Sequence, residues 1–205
     1  MKIDPEALDV RGAHELFVGA IVPRPIALVS TIGEDGIYNV APFSFFSLVA
    51  LKPAIAGLQI GWHRDGRKKD TQLNIESAGD FVINVVTEAL AEAMNQTSGN
   101  YPSQVDEFKE AGLTPVKSDL VKSPMVAESP VNMECRLMQI SDFGEAPGKM
   151  TFITGQIIRV HVKDELWDKA KGTIKIPELK AIARLSEDYY CRTRDIFEMK
   201  RPDVQ

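Results

Sequence analysis

PIALVSTIGEDGIYNVAPFSFF, residues 25–46, decides the fold. An apolar, β-branched run leads into Asp35-Gly36, a dipeptide suited to the positive φ of a tight reversal, and a second strand-like run follows. The stretch predicts a β-hairpin. Outward from it, AIAGLQI after Lys52-Pro53 predicts a third strand and DFVINVV at 80–86 a fourth, both continuously apolar as strands covered on two faces are. VNMECRLMQISDF alternates, placing Val131, Met133, Cys135, Leu137 and Gln139 on one face, and KMTFITGQIIRVHVKDEL predicts a long strand with Gly155 at a bulge or bend.

Helical signals fall between these runs. Residues 13–18 have helical potential, TQLNIESAG ends in a glycine fit to stop a helix, and EALAEAMNQ follows Thr87 as a cap. SQVDEFKEAG follows Pro102, with Ser103 and Asp106 spaced as a capping box and Gly112 as terminator. Residues 113–130 read as a winding connection with room for one edge strand. Strands outnumber helices and no strict βα alternation runs through the chain. These elements predict a mainly β fold: an antiparallel barrel with helices inserted at its edge and a trailing C-terminal segment.

The chain has 205 residues, 44% of them hydrophobic and 26% charged, which fits one domain with extensions rather than a disordered or membrane chain. A net charge of -5 disfavours nucleic acid as a partner, because phosphate backbones are held by clustered cations. No charged start followed by an apolar core marks a signal peptide, and no apolar run suits a membrane span, so a cytoplasmic location is expected. Cys135 and Cys191 stand far apart in no metal-ligand or redox spacing and read as plain buried thiols. No metal site is expected.

His14, His63 and His161 lie in no hydrolase or zinc motif, and neither glycine-rich nucleotide fingerprint is present. The active group is expected to be borrowed. GWHRDGRKKDTQLNI, residues 61–75, allows two readings. Asp70 or Thr71 simply caps a helix beside solvated lysines, or Lys68, Lys69 and Thr71 form an anion site at the helix's positive end. NVAPFSFFS, residues 39–47, has a similar ambiguity: Pro42 removes a ladder donor, so the strand is either a bulged edge or a ligand wall.

RPIALVSTIGEDGIYNVAPFSFFS, KDTQLNI, GDFVINVV, DEFKEAGLTPV, SPVNMECRL and ARLSEDYY, in this order and spacing, resemble the flavin reductase-like, FMN-binding split-barrel proteins. The resemblance covers residues 19–202 and is closest to flavoredoxins and to reductase components of two-component monooxygenases. It implies a six-stranded Greek-key split barrel filling a single domain, residues 1–205, with a core at about 19–165 and a C-terminal extension at 166–205. It also implies a homodimer that binds FMN, with NADH or NADPH as co-substrate and free flavin, a partner monooxygenase or another redox protein as acceptor. By resemblance, Ser30, Thr31, Asn39, Ala41, Pro42, Phe43, Ser44 and Phe45 line the ring and ribityl chain, and Lys69, Asp70, Thr71 and Asn74 hold the phosphate.

The chain departs from the short flavin reductases where they carry a Gly-Asp-His tripeptide. Here RVHVKD offers only His161, either a catalytic group or a sheet histidine bonded to a backbone carbonyl or solvent. An electron carrier without its own nicotinamide site is the alternative reading. Tyr189 and Tyr190 are expected either to pack locally or to touch a second subunit.

Overall fold

A computed structural model describes residues 1–204. The predicted hairpin is present: β1 (Ala27–Ile32) and β2 (Tyr38–Phe43) pair antiparallel, from Ala27 opposite Phe43 to Ile32 opposite Tyr38. Gly36 makes the reversal at φ 82°, which a Cβ would strain. Five further strands complete the main sheet: β3 (Phe46–Leu51), β4 (Ala54–Gly61), β5 (Asp80–Val85), β6 (Val131–Phe143) and β7 (Met150–Val162). Their hydrogen-bonded order is β2-β1-β5-β6-β7-β4-β3, antiparallel throughout.

The two outer strands, β2 and β3, are consecutive in the chain and joined only by Ser44 and Phe45. Such a link spans at most about 11 Å, so the sheet must curl until its edges approach. The Phe45 carbonyl accepts from the Gln59 N–H on β4 at 2.9 Å. Among the described residues no ladder joins β2 to β3, and the barrel keeps a seam there. This is the expected mainly β split barrel, with seven strands in its main sheet rather than six. The extra strand is residues 46–51, where the sequence suggested a single run ending at Phe46.

Alternation divides the strand side chains between two cores. Ala27 and Val29 point into the barrel with Leu58, Ile60, Phe81, Ile83, Cys135 and Ile153. Leu28 faces outward and packs with Val40, Leu90, Met94, Phe108 and Val126. Burying each such Leu- or Phe-sized group contributes about 1.5–3 kcal/mol, so both faces of β1 anchor the fold. Gly155 sits at a register shift between β6 and β7, as its bulge reading anticipated, and a Cβ there would lie 2.5 Å from Phe81 Cζ.

Polar residues on the outer face of β5 and β6 capture the 113–130 connection. Asp80 accepts from the Lys122 and Ser123 N–H groups, Asn84 from Val126, and Glu134 from Asp119, Leu120 and Val121. The connection holds two short strands, Pro115–Val116 and Met125–Val126, which pair with each other rather than forming one edge strand.

The helices are α1 (Val10–Ala20), α2 (Asp70–Ala78), α3 (Ala91–Gln96), α4 (Glu107–Glu110) and α5 (Ile176–Leu179). Gly79 and Gly112 stop α2 and α4 with left-handed backbones, as expected. Two caps differ from the sequence reading. Thr87 precedes a 3-10 turn, Glu88–Leu90, and makes no side-chain cap bond. Asp106 caps α4 without Ser103, whose hydroxyl instead donates to Asp70 Oδ1 at 2.8 Å. A carboxylate distant in sequence outcompetes the local box.

The C-terminal extension returns to the body: Arg24–Pro25, Ile182–Arg184 and Tyr190–Arg192 form a small three-stranded sheet. Gln205, its last residue, lies outside the described residues. Cys135 is buried as expected, but Cys191 is half-buried on the last short strand. Among the described residues, no helix is long and apolar enough to cross a membrane.

Candidate functional site

The start of α2 carries unmet donors and an unanswered charge. Lys69 occupies the N-cap position without a side-chain cap bond. Its carbonyl accepts from the Gln72 and Leu73 N–H groups, so among the described residues the Asp70 and Thr71 N–H groups are left free at the positive end of the helix. Burial alone pushes the Lys69 ammonium below the ordinary lysine range, with no carboxylate acting on it.

A buried polar network ties this helix start to the hairpin. Asn39 Oδ1 accepts from Thr71 Oγ1 at 2.7 Å and from Thr31 Oγ1 at 3.2 Å. Thr31 in turn accepts from Asn74 Nδ2 at 3.0 Å. The Asn39 amide nitrogen donates to both Glu107 oxygens at 2.8 Å, and the Val40 N–H donates to the same carboxylate at 3.1 Å. Burial raises the Glu107 carboxyl above its ordinary value, partly offset by these donors. Each member satisfies another, so the network holds α2, β2 and α4 in one geometry.

A groove of two lobes runs past this network. The first, about 460 Å³, is lined by Asn39, Ala41, Pro42, Phe43, Lys69, Asp70 and Thr71, with His63 and the loop at residues 97–101 opposite. The second, also about 460 Å³, is lined by Ser44 and Phe45 with Arg24, Gln59 and residues 184–187. His14, Pro42, Phe43, Lys69 and Arg184 border both lobes and make them continuous. Each lobe falls in the size range of small-molecule sites.

Most of the residues anticipated from sequence are brought together here. Thr31 lies buried beneath the groove in the polar network, and Asn74 borders a neighbouring cavity of about 410 Å³ shared with Asn39, Asp70 and Glu107. Ser30 is not brought in: it faces the outer core, fully buried, where its hydroxyl donates to the Pro124 carbonyl and accepts from Asn84 Nδ2. The alternation that points Val29 inward turns Ser30 away.

His161 also lies elsewhere. Its Nε2 meets Glu134 Oε1 at 2.6 Å, so its partner is a fully buried carboxylate and not the backbone carbonyl or solvent expected. Ligand atoms of Asp119, Glu134 and His161 lie within 4.8 Å of one another. Three backbone N–H groups occupy Glu134, and Arg159 pairs with Asp119 at 2.6 Å, so the cluster is satisfied as a clamp on the connection.

Sequence reasoning missed Glu107, Arg24, His14, Arg184 and the loop at 97–101. Two of them carry local signals. Arg24 stands between Pro23 and Pro25 in an apolar stretch, and Glu107 adjoins Phe108. A charged residue in such a setting needs a partner or a purpose.

The family described as flavin reductase like domain matches residues 18–171. An uncharacterized protein of Halalkalibacterium halodurans is 34% identical over 206 aligned residues, covering 100% of this chain and 98% of the relative. Among solved structures, nitrilotriacetate monooxygenase component B from Bacillus cereus is 31% identical with a TM-score of 0.92, covering 97% of this chain and 98% of that one. The 2-nitrobenzoate 2-nitroreductase of Pseudomonas fluorescens is 28% identical with a TM-score of 0.88, covering 98% and 96%.

Proposed function

The chain belongs to the flavin reductase-like domain family, and from that premise we propose that it is an FMN-binding oxidoreductase. In this reading it takes a hydride from NADH or NADPH and passes the electrons to free flavin or a partner oxygenase. The observation that carries it is the desolvated Lys69 ammonium, unanswered by a carboxylate, at the free N–H start of α2. That pairing of charge and donors suits a phosphate dianion. The donor set fits the rest of FMN as well, since Pro42 and Phe43 offer an apolar wall beside the polar Asn39.

FMN, when bound, supplies a ring that accepts a hydride and releases electrons in ones or twos. The chain's own residues position it. Lys69 and the Asp70 and Thr71 N–H groups hold the phosphate, the Thr31–Asn39–Thr71–Glu107 network fixes the helix start against the hairpin, and no side chain has to move a proton in the hydride step. The similarity to a monooxygenase component B supports an oxygenase as acceptor.

One observation favours the carrier reading instead. His161, the one histidine where short flavin reductases keep theirs, is tied to Glu134. Mixing the FMN-loaded protein with NADH and with NADPH under argon separates the two: flavin bleaching supports the reductase. Bleaching only by a one-electron donor supports the carrier. Failure to retain yellow colour in excess FMN overturns both. The proposal includes a cytoplasmic homodimer of single-domain chains, supported by the exposed apolar row Leu48, Val49 and Leu51 on edge strand β3. Light scattering at twice the chain mass is the expected result.

A further inference from the structure

The second lobe of the groove holds more positive charge than its surroundings answer. Arg24 is 6% exposed, yet its guanidinium meets the Val18, Ile21 and Leu185 carbonyls and the Ser44 hydroxyl rather than a carboxylate. Arg184 lines the same lobe, lies 4.5 Å from the Tyr190 ring centroid and donates to the Glu187 carbonyl. Among the described residues it too has no salt bridge. Burial first, and then the charge of Arg184, press Arg24 below the ordinary arginine range. The lobe's acids do not cancel this. Glu15 is committed to Arg11 at 2.8 Å, and Glu187 is exposed. Two adjacent cations in a cavity remain costly until an anion arrives between them.

We propose that this lobe is an anion subsite for the co-substrate that exchanges electrons with the flavin, taking its phosphate or carboxylate group. Arg184 makes the direct contact. Arg24 has spent four of its donors on the protein and contributes a fixed charge behind it. Phe43 and Phe45 flank the apolar part of the same molecule, and His14 closes the α1 side. The inference rests on the FMN reading, which places the flavin phosphate at the start of α2 and leaves the lobe lined by Ser44, Phe45 and Arg24 to the second molecule, with Lys69 and Arg184 at the border the two lobes share.

The test titrates NADP+, benzoate and uncharged benzamide into FMN-loaded protein, read by perturbation of the flavin spectrum, for wild type, Arg184→Glu and Arg184→Lys. R184E should weaken the anionic probe at least about tenfold, since a charge-assisted hydrogen bond is worth that much or more. R184K should retain most of the binding, and FMN should lose clearly less affinity than the anionic probe in both variants, because Arg184 borders the FMN lobe without belonging to the Lys69, Asp70 and Thr71 cradle. A response confined to NADP+ identifies a dinucleotide phosphate as the source, and one confined to benzoate a carboxylate. The proposal is overturned if no anionic probe binds, if R184E leaves all probes unchanged, or if benzamide loses as much as benzoate. It is equally overturned if FMN affinity falls in step, since Arg184 would then belong to the flavin's own site. If R184E does not fold, salt dependence in the unaltered protein decides: anion binding that weakens with KCl supports the subsite and a flat response overturns it. If the protein binds no FMN, calorimetry with the same probes on the flavin-free protein still reads the subsite, so the two readings fail separately.

Discussion

Thr71 gives its hydroxyl proton to Asn39 Oδ1 at 2.7 Å, across 32 positions of sequence. That bond fixes which way the Asn39 amide points, because its nitrogen is then directed at Glu107. It also leaves backbone N–H groups, rather than the Thr71 hydroxyl, as the phosphate donors of the helix start. Thr71→Val should therefore cost about 1–3 kcal/mol of stability, the penalty for a buried acceptor losing its best donor. Urea denaturation measures this. FMN and riboflavin affinities should change in parallel, and a loss confined to FMN would return the hydroxyl to the phosphate.

Lys69→Ala should separate the two flavins. FMN binding should weaken by about 1.5–3 kcal/mol, the worth of a charge-assisted hydrogen bond, while riboflavin loses little. The pH dependence has a definite sign. Burial lowers the Lys69 pKa in the free protein, and a bound phosphate raises it again, so binding takes up a proton as pH approaches the free-protein value. FMN affinity should be full below that value and fall as pH rises through it. Riboflavin affinity should stay level. Fluorescence titrations across alkaline pH check both curves.

Glu107 acts in a lower pH range and on stability, with the same sign. Burial raises its folded-state pKa above the ordinary 4.5, so between the two values the folded protein binds more protons than the unfolded chain. Stability contributed at this site is present below the unfolded value and declines as pH rises through the folded one. Wild type should thus lose stability relative to Glu107→Gln as pH climbs above the ordinary carboxyl range. Thermal melts of both proteins in a buffer series measure the difference, and parallel curves would show that Glu107 does not titrate there.

Gly155→Ala places a Cβ 2.5 Å from Phe81 Cζ inside the barrel. Overpacking of that kind costs about 1–3 kcal/mol. Adding Phe81→Leu should recover part of the loss, whereas in an otherwise wild-type background the same change should only destabilise. A double-mutant cycle by denaturation reads the coupling.

The hairpin, β4 to β7, α2 and the Gly155 bulge were legible because each rests on a local signal: alternation, a turn dipeptide or a stop glycine. β3 was hidden because the chain changes strand at Ser44 and Phe45 with no glycine to mark the break, and only the curled sheet separates Phe43 from Phe46. Lys69, Thr71 and residues 41–45 of the groove were readable through the resemblance. Ser30 was carried along by its place between Val29 and Thr31, although strand alternation turns it to the outer face. Arg24, Arg184 and Glu107 reach the groove only through tertiary packing, since strand Arg24–Pro25 meets Ile182–Arg184 across most of the chain's length.

The Ser44–Phe45 link gives the barrel an uneven timetable of opening. β2 and β3 each have one hydrogen-bonded neighbour, while β1, β5, β6, β7 and β4 have two, so the cheapest local unfolding begins at the seam. Amide protons of residues 46–51 should exchange with deuterium well ahead of those in β5. The tether keeps the parted edges close, so each excursion recloses without a search. Because residues 41–45 wall the groove beside that seam, the same opening would widen the groove without a separate lid.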